Sequence, residues 1–127
     1  MPVMRQVADA SMTTGTVRET TARSKYGNRR TWRDGIAFDS ASEARRYGEL
    51  RLMEQAGAIT NLTVHKRYPL VVNGQRVAVY EADFDYYQPE RARWITEDVK
   101  GVRTQVYRLK RALMKACLGI DVTEVEA

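Results

Sequence analysis

Cysteine and histidine each occur once, at Cys117 and His65. A single thiol removes any internal disulfide framework and any cysteine-based zinc site. A single imidazole leaves histidine-rich metal sites and a Ser-His-Asp triad without material. No apolar run approaches the roughly 20 residues of a membrane span, and the mean hydropathy is −0.52. Residues 1–20 lack an apolar h-region, so no secretory leader is expected, and with a lone thiol the reading is a cytoplasmic protein. The 127 residues suffice for one domain, domains usually running to about 100–150 residues.

Charge and aromatic bulk are what the chain has. Lys and Arg number 21 against 16 Asp and Glu, a net charge of +5 and a pI near 9.6. That balance favours a polyanionic partner without identifying it. Seven Tyr, two Trp and two Phe within 43% hydrophobic residues supply a core.

Residues 1–24 show neither helical nor strand periodicity and few large apolar side chains, and are read as a flexible basic arm. Residues 25–127 carry the organised domain. Asp34-Gly35 between Thr31 and Phe38 signals a hairpin, and Ser40-Ala41-Ser42-Glu43 fits a capping box for a helix ending before Gly57. Leu62–Val72 and Arg76–Tyr87, joined by Asn73-Gly74, read as strands, and Arg93–Lys100 as another, together an antiparallel meander. Thr104–Leu118 reads as a helix closed by Gly119, with a short strand over Ile120–Val125. The order predicts an α/β or α+β domain whose central sheet is flanked by helices.

Four positions carry charge where folding alone would not choose it. Alternation along 79–87 puts Glu81, Asp83 and Asp85 on one face, and along 93–100 it groups Trp94, Thr96, Asp98 and Lys100 opposite Ile95, Glu97 and Val99. If the strands are neighbours, facing carboxylates repel unless a cation sits between them. Mg²⁺ accepts one or two carboxylates with waters and phosphate oxygens. The bland alternative is a solvated face on which Lys100 screens Asp98. Glu43 heads the expected core stripe of the first helix with Tyr47, Leu50 and Gly57, and a capping-box role explains it without any chemistry, ahead of a ligand role. Lys110 lies within an apolar stripe of Val106, Leu109, Leu113 and Cys117, where a snorkelling lysine is the ordinary explanation. His65 reads as a half-buried strand residue, Cys117 as core, and Trp32 and Trp94 as packing anchors, although Trp32 has a route to nucleic acid.

Basic residues cluster on both sides of this acidic centre. Arg23, Lys25, Arg29, Arg30 and Arg33 surround Tyr26 and Trp32, and residues 99–120 hold Lys100, Arg103, Arg108, Lys110, Arg111 and Lys115 with no acid. Bases interleaved with aromatics suit phosphate contact and stacking; a solvated helix face is the usual alternative.

Taken in order, Lys25-Tyr26-Gly27-Asn28, Asp34-Gly35-Ile36-Ala37-Phe38-Asp39-Ser40, Ser42-Glu43-Ala44, Tyr80-Glu81-Ala82-Asp83-Phe84, Glu97-Asp98-Val99-Lys100-Gly101 and Thr104–Lys110 resemble the PD-(D/E)XK nuclease superfamily. More narrowly they resemble a small phage- and prophage-borne group similar to Holliday junction resolvases and transposon-end nucleases. The resemblance implies a restriction-endonuclease-like core with a mostly antiparallel or mixed sheet. It implies Mg²⁺, or Mn²⁺ in its place, on Asp83, Asp98 and the Val99 carbonyl, with Glu43 a further or water-mediated ligand and Lys100 orienting or deprotonating the attacking water. Glu43, Asp83, Asp98 and Lys100 would be the catalytic set. Lys25, Tyr26, Arg29, Arg30, Trp32, Arg103, Tyr107, Lys110 and Arg111 would contact DNA.

Two departures accompany it: Ala82 stands where a proline is usual, and Glu97 lies beside Asp98. Which of those two carboxylates faces the metal is left open: parity with Lys100 favours Asp98, and Glu97, on the Ile95/Val99 face, is then the one to pair with a base. The expected activity is a Mg²⁺-dependent DNA endonuclease on branched DNA in the cytoplasm of a bacterial host, with a homodimer as the form that the paired cuts of junction resolution would need. The alternatives are a non-catalytic nucleic-acid-binding module, a general duplex nickase, or a structural protein of a mobile element.

Overall fold

A computed structural model of the chain describes residues 30–127, so the arm and the expected contacts at Lys25, Tyr26 and Arg29 lie outside the described residues. Two compact units divide at Ala44/Arg45.

In the first unit, β1 (Thr31–Arg33) and β2 (Ile36–Phe38) form an antiparallel hairpin with Thr31 opposite Phe38. Asp34 and Gly35 both take positive φ, 51° and 76°, as a tight turn matched to strand twist demands. Ser40 then starts α1 (Ala41–Gln55): its Oγ accepts the Glu43 backbone N–H at 3.2 Å, satisfying one of the donors a helix start leaves open. Within the described residues of this unit Phe38 and Ala44 are buried.

In the second unit, a four-stranded sheet runs in the order β3 (Thr60–Val64), β6 (Phe84–Gln88), β7 (Arg93–Lys100), β8 (Val122–Glu126). The first two pairings are antiparallel and β7–β8 is parallel. A parallel neighbour needs a crossover, which α2 (Gln105–Leu118) provides, capped by the Thr104 side chain and ended by Gly119 at φ 70°. β4 (Arg67–Val72) and β5 (Gln75–Glu81) form a separate hairpin about Asn73-Gly74. The result is α+β with a mixed sheet and helices on its faces, as the sequence implied and consistent with a restriction-endonuclease-like core. No helix among the described residues is long and apolar enough to cross a membrane.

Two expected long strands are each broken. His65 bends with φ 61° between β3 and β4, correcting its placement on a strand. Ala82 and Asp83 separate β5 from β6. Ala82 N–H still bonds Lys66 O at 2.9 Å, whereas Asp83 N–H turns to Glu97 O at 3.2 Å and Asp83 O accepts His65 N–H at 3.1 Å. The chain changes pairing partners at Asp83, so the meander becomes a hairpin plus a mixed sheet.

The β6–β7 register, Asp85 opposite Thr96 and Phe84 opposite Glu97, separates two sheet faces. Phe84, Tyr86, Ile95, Glu97 and Val99 face α1, where Tyr47 stacks on Phe84 with centroids 6.5 Å apart. Asp85, Thr96, Asp98 and Lys100 face α2 and the β4–β5 hairpin. A buried cluster of Leu70, Tyr80, Ala82, Tyr107, Met114 and Val122 joins that hairpin, α2 and β8. Each large apolar member contributes about 1.5–3 kcal/mol by leaving water.

The first helix buries Tyr47 and Leu50 as expected, but Ala44 takes the place of Glu43; the second helix buries a different stripe from the one expected. On α1 the buried stripe runs through Ala44, Tyr47 and Leu50, with Glu43 only half-buried beside it and Gly57 exposed beyond the helix. On α2 it is Tyr107 and Met114, with Lys110, Leu113 and Cys117 half-buried, while Val106 and Leu109 are exposed. The β4–β5 hairpin, through Leu70 and Tyr80, buries Tyr107 and Met114 in place of the expected Val106 and Leu109. Trp32 and Trp94, expected to anchor packing, are 66% and 64% exposed, Trp94 resting on Tyr87 at 5.2 Å between ring centroids.

Candidate functional site

Asp83 and Asp98 come together where the chain changes partners. The β6–β7 ladder ends at Phe84 opposite Glu97; the next residue, Asp83, gives its N–H to Glu97 O at 3.2 Å and turns its side chain to the stretch of β7 that follows Glu97. Asp83 Oδ2 accepts the Val99 backbone N–H at 2.7 Å. Asp98 is 3% exposed; its Oδ2 accepts a hydrogen bond from the Tyr80 hydroxyl and lies 3.6 Å from Lys100 Nζ. That ammonium also sits 4.1 Å above the centre of the Tyr107 ring, a cation over a π face.

The surrounding phenols are held in their neutral, donating form. Burial pushes the Tyr80 hydroxyl pKa up, reinforced by its hydrogen bond to Asp98 and by the charges of Asp98 and Asp83. Burial also raises Tyr107, whose hydroxyl donates to Glu124 Oε2 at 2.8 Å and which lies in the field of Asp98. A buried carboxylate needs such donors, because stripping water from a charge without replacing its hydrogen bonds is costly.

Glu97 and Glu81 are engaged elsewhere, and Asp85 shares the Asp98 face. Glu97, 1% exposed, points to the α1 side, where Arg46 grips both its oxygens at 2.9 and 2.6 Å and the Tyr86 hydroxyl donates to it. The hydrogen bond to Glu97 raises the Arg46 pKa against the lowering effect of burial. Adjacent residues on a strand face opposite ways, so Asp98, and not Glu97, shares a face with Lys100.

Glu81, expected beside Asp83 and Asp85, instead belongs to the β4–β5 hairpin and meets Arg67 at 3.5 Å on the surface. The break at Ala82–Asp83 put it in a different sheet. Asp85 is buried on the Asp98 face, where the Tyr68 hydroxyl and Thr96 Oγ1 donate to Oδ2, the latter at 3.1 Å. Burial pushes its pKa up, opposed by those two hydrogen bonds.

The donor set of this site is two carboxylates and backbone oxygen. Among the described residues no three or more His, Cys, Asp or Glu gather as a metal cluster. Mg²⁺, however, is commonly held by one or two carboxylates with waters completing an octahedron. Asp83 and Asp98, whose carboxylates both lie in the field of the Tyr80 hydroxyl, are hard-oxygen donors of that kind, so the donor chemistry fits.

The remaining expected positions are dispersed. Glu43 occupies the first turn of α1 in the first unit, its N–H on the Ser40 cap. Arg30 and Trp32 are exposed there. Arg103 is tied to Glu124 at 2.8 Å and Glu126 at 3.2 Å, and Arg111 to Glu124 at 2.7 Å. Tyr107, expected to meet nucleic acid, is buried with one ring face under Lys100. Lys110 is half-buried.

Three supporting residues escaped the sequence reading: Tyr80, Tyr68 and Arg46. The hairpin carried a signal for the tyrosines, since Asn73-Gly74 sets an antiparallel register. Without a bulge, however, that register pairs Tyr68 with Val79. An irregularity between Leu70 and Val71 shifts it by one and places Tyr68 opposite Tyr80.

A family model described as a protein of unknown function (DUF1064) matches residues 23–121. No curated protein and no solved structure matches the chain.

Proposed function

We propose that this chain, which belongs to the DUF1064 family, is a metal-dependent DNA endonuclease of the PD-(D/E)XK kind, hydrolysing phosphodiester bonds with branched DNA as its preferred substrate. The observation that carries the reading is the grouping of Asp83, Asp98 and Lys100 at one break in the sheet, with Lys100 Nζ 3.6 Å from Asp98. Asp83, Asp98 and the Val99 carbonyl would hold Mg²⁺, which supplies Lewis acidity at the phosphate and lowers the pKa of water there.

The chain's own groups do the rest. Tyr80 fixes Asp98 through its donated hydrogen bond, and Val99 N–H fixes Asp83. Lys100 sits between Asp98 and the Tyr107 ring, from where its ammonium orients the attacking water and offsets the charge that grows on the phosphorane oxygens. Paired incision of a four-way junction needs two active sites and therefore two copies.

One observation favours a second reading, a non-catalytic nucleic-acid-binding module. Asp98 is almost fully enclosed and already satisfied by Tyr80 and Lys100, as a structural carboxylate would be. Cleavage of a labelled four-way junction and a matched duplex, with Mg²⁺ or with EDTA, separates the two. The nuclease predicts Mg²⁺-dependent cutting that falls by about 10²–10³-fold in Asp83→Ala and Lys100→Ala, as loss of a transition-state electrostatic group does. Binding without cutting, indifferent to EDTA and to both substitutions, assigns the module instead.

A further inference from the structure

The bases on α2 do not share one fate. Arg103 and Arg111 are engaged by Glu124, and Lys110 is half-buried. Arg108 is exposed and forms no ion pair among the described residues. Lys115 meets Asp121 at 2.9 Å, but both side chains are mostly solvent-exposed, and such a pair contributes little and yields readily to a competing anion.

Arg108, Arg111, Ala112 and Lys115, spaced to fall on one face of α2, line an open cleft of about 370 Å³, closed on its other side by Ile120, Asp121 and Val122. Three cations thus face one carboxylate over an uncharged floor. The row from Arg108 to Lys115 is about 10 Å long at 1.5 Å per residue. A single phosphate does not need that length, whereas a strand presenting a charge about every 3.4 Å does.

We propose that this cleft is a second nucleic-acid contact, a track for the sugar-phosphate backbone on the flank of α2. It takes phosphodiester oxygens on Arg108 and Lys115, with Arg111 as a shared donor. Small Ala112 admits the strand, and Ile120 and Val122 offer apolar surface to the deoxyribose. The track is linked to the candidate catalytic lysine by contacts within the same unit: Arg111 and Tyr107 both bond Glu124 Oε2, and Lys100 lies over Tyr107. The inference rests on the nucleic-acid reading above, but not on cleavage.

The test is fluorescence anisotropy of a labelled duplex with the full chain in EDTA, across a salt series, so that binding is read without catalysis. Arg108→Gln with Lys115→Gln should flatten the slope of log affinity against log salt by about two, close to 0.9 per lost phosphate contact. Affinity at about 50 mM salt should fall by about 10-fold or more. Arg108→Lys with Lys115→Arg should restore the slope, and Arg76→Gln with Arg91→Gln, the same charge change elsewhere, should leave it near the wild-type value. An unchanged slope in the cleft variant, or an equal loss in the control, overturns the track. So does displacement of the duplex by millimolar inorganic phosphate acting only through these side chains. A chain that binds with the predicted slopes yet never cuts DNA retains the track and loses the nuclease.

Discussion

A carboxylate as enclosed as Asp98 is tolerable only with donors at hand, and Tyr80 and Lys100 are those donors. Tyr80→Phe keeps the ring in the Leu70–Met114 cluster and deletes the hydroxyl alone. Loss of a buried, charge-bound hydrogen bond should lower stability by about 1–3 kcal/mol, read from urea unfolding. If Asp98 holds the metal, Mg²⁺ affinity or cleavage should also fall by about 10- to 100-fold, the usual effect of removing a group that orients a ligand. A variant as active as the wild type would show that the phenol does not orient Asp98. At this scale the parity of Asp98 with Lys100 was legible, because strand alternation is local. Arg46, which occupies Glu97 from 51 positions away, was not.

Among the elements, α2 divides into three faces: Tyr107 and Met114 toward the core, Arg108, Arg111 and Lys115 along the cleft, and Val106 and Leu109 exposed. Its link to β8 runs through Glu124, which accepts from Arg103, Tyr107 and Arg111. Those donors, Arg103 first, lower the Glu124 pKa below its ordinary value of 4.5. A lowered folded pKa means that stability is fully present above the unfolded value and is lost as pH falls through the folded one. Thermal unfolding between about pH 6 and pH 3 should therefore show a loss beginning below about pH 4.5. Glu124→Gln should be less stable than the wild type at neutral pH and should converge on it in acid. Parallel stability curves for the two proteins would place the acid-sensitive contact elsewhere.

For the whole second unit, the sheet separates two kinds of chemistry. The α1 face closes Glu97 into an ion pair, and the α2 face collects Asp85, Asp98 and Lys100 under tyrosines. A ligand that binds only the folded chain stabilises it by mass action, by about 2.7 kcal/mol at 100 times its dissociation constant. On the proposed function, Mg²⁺ should raise the melting temperature in a saturable way that EDTA reverses, and Asp83→Asn or Asp98→Asn should abolish the shift. A shift that persists in both variants would move the cation away from this site.

The local chemistry of the chain determined its turns and helix ends. Asp34-Gly35 and Asn73-Gly74 impose positive φ, Ser40 and Thr104 cap, and Gly119 terminates, each through its own backbone or side chain. Those signals, with strand alternation, sufficed for an α+β chain in the observed order of elements. Only the tertiary structure decided that β5 and β6 part at Asp83, that β8 joins parallel to β7, and that a bulge sets Tyr68 opposite Tyr80. Likewise, only packing chose which stripe of α2 is buried. These outcomes depend on pairings between segments distant in sequence, where burial and hydrogen-bond satisfaction in a neighbouring element outweigh local preference.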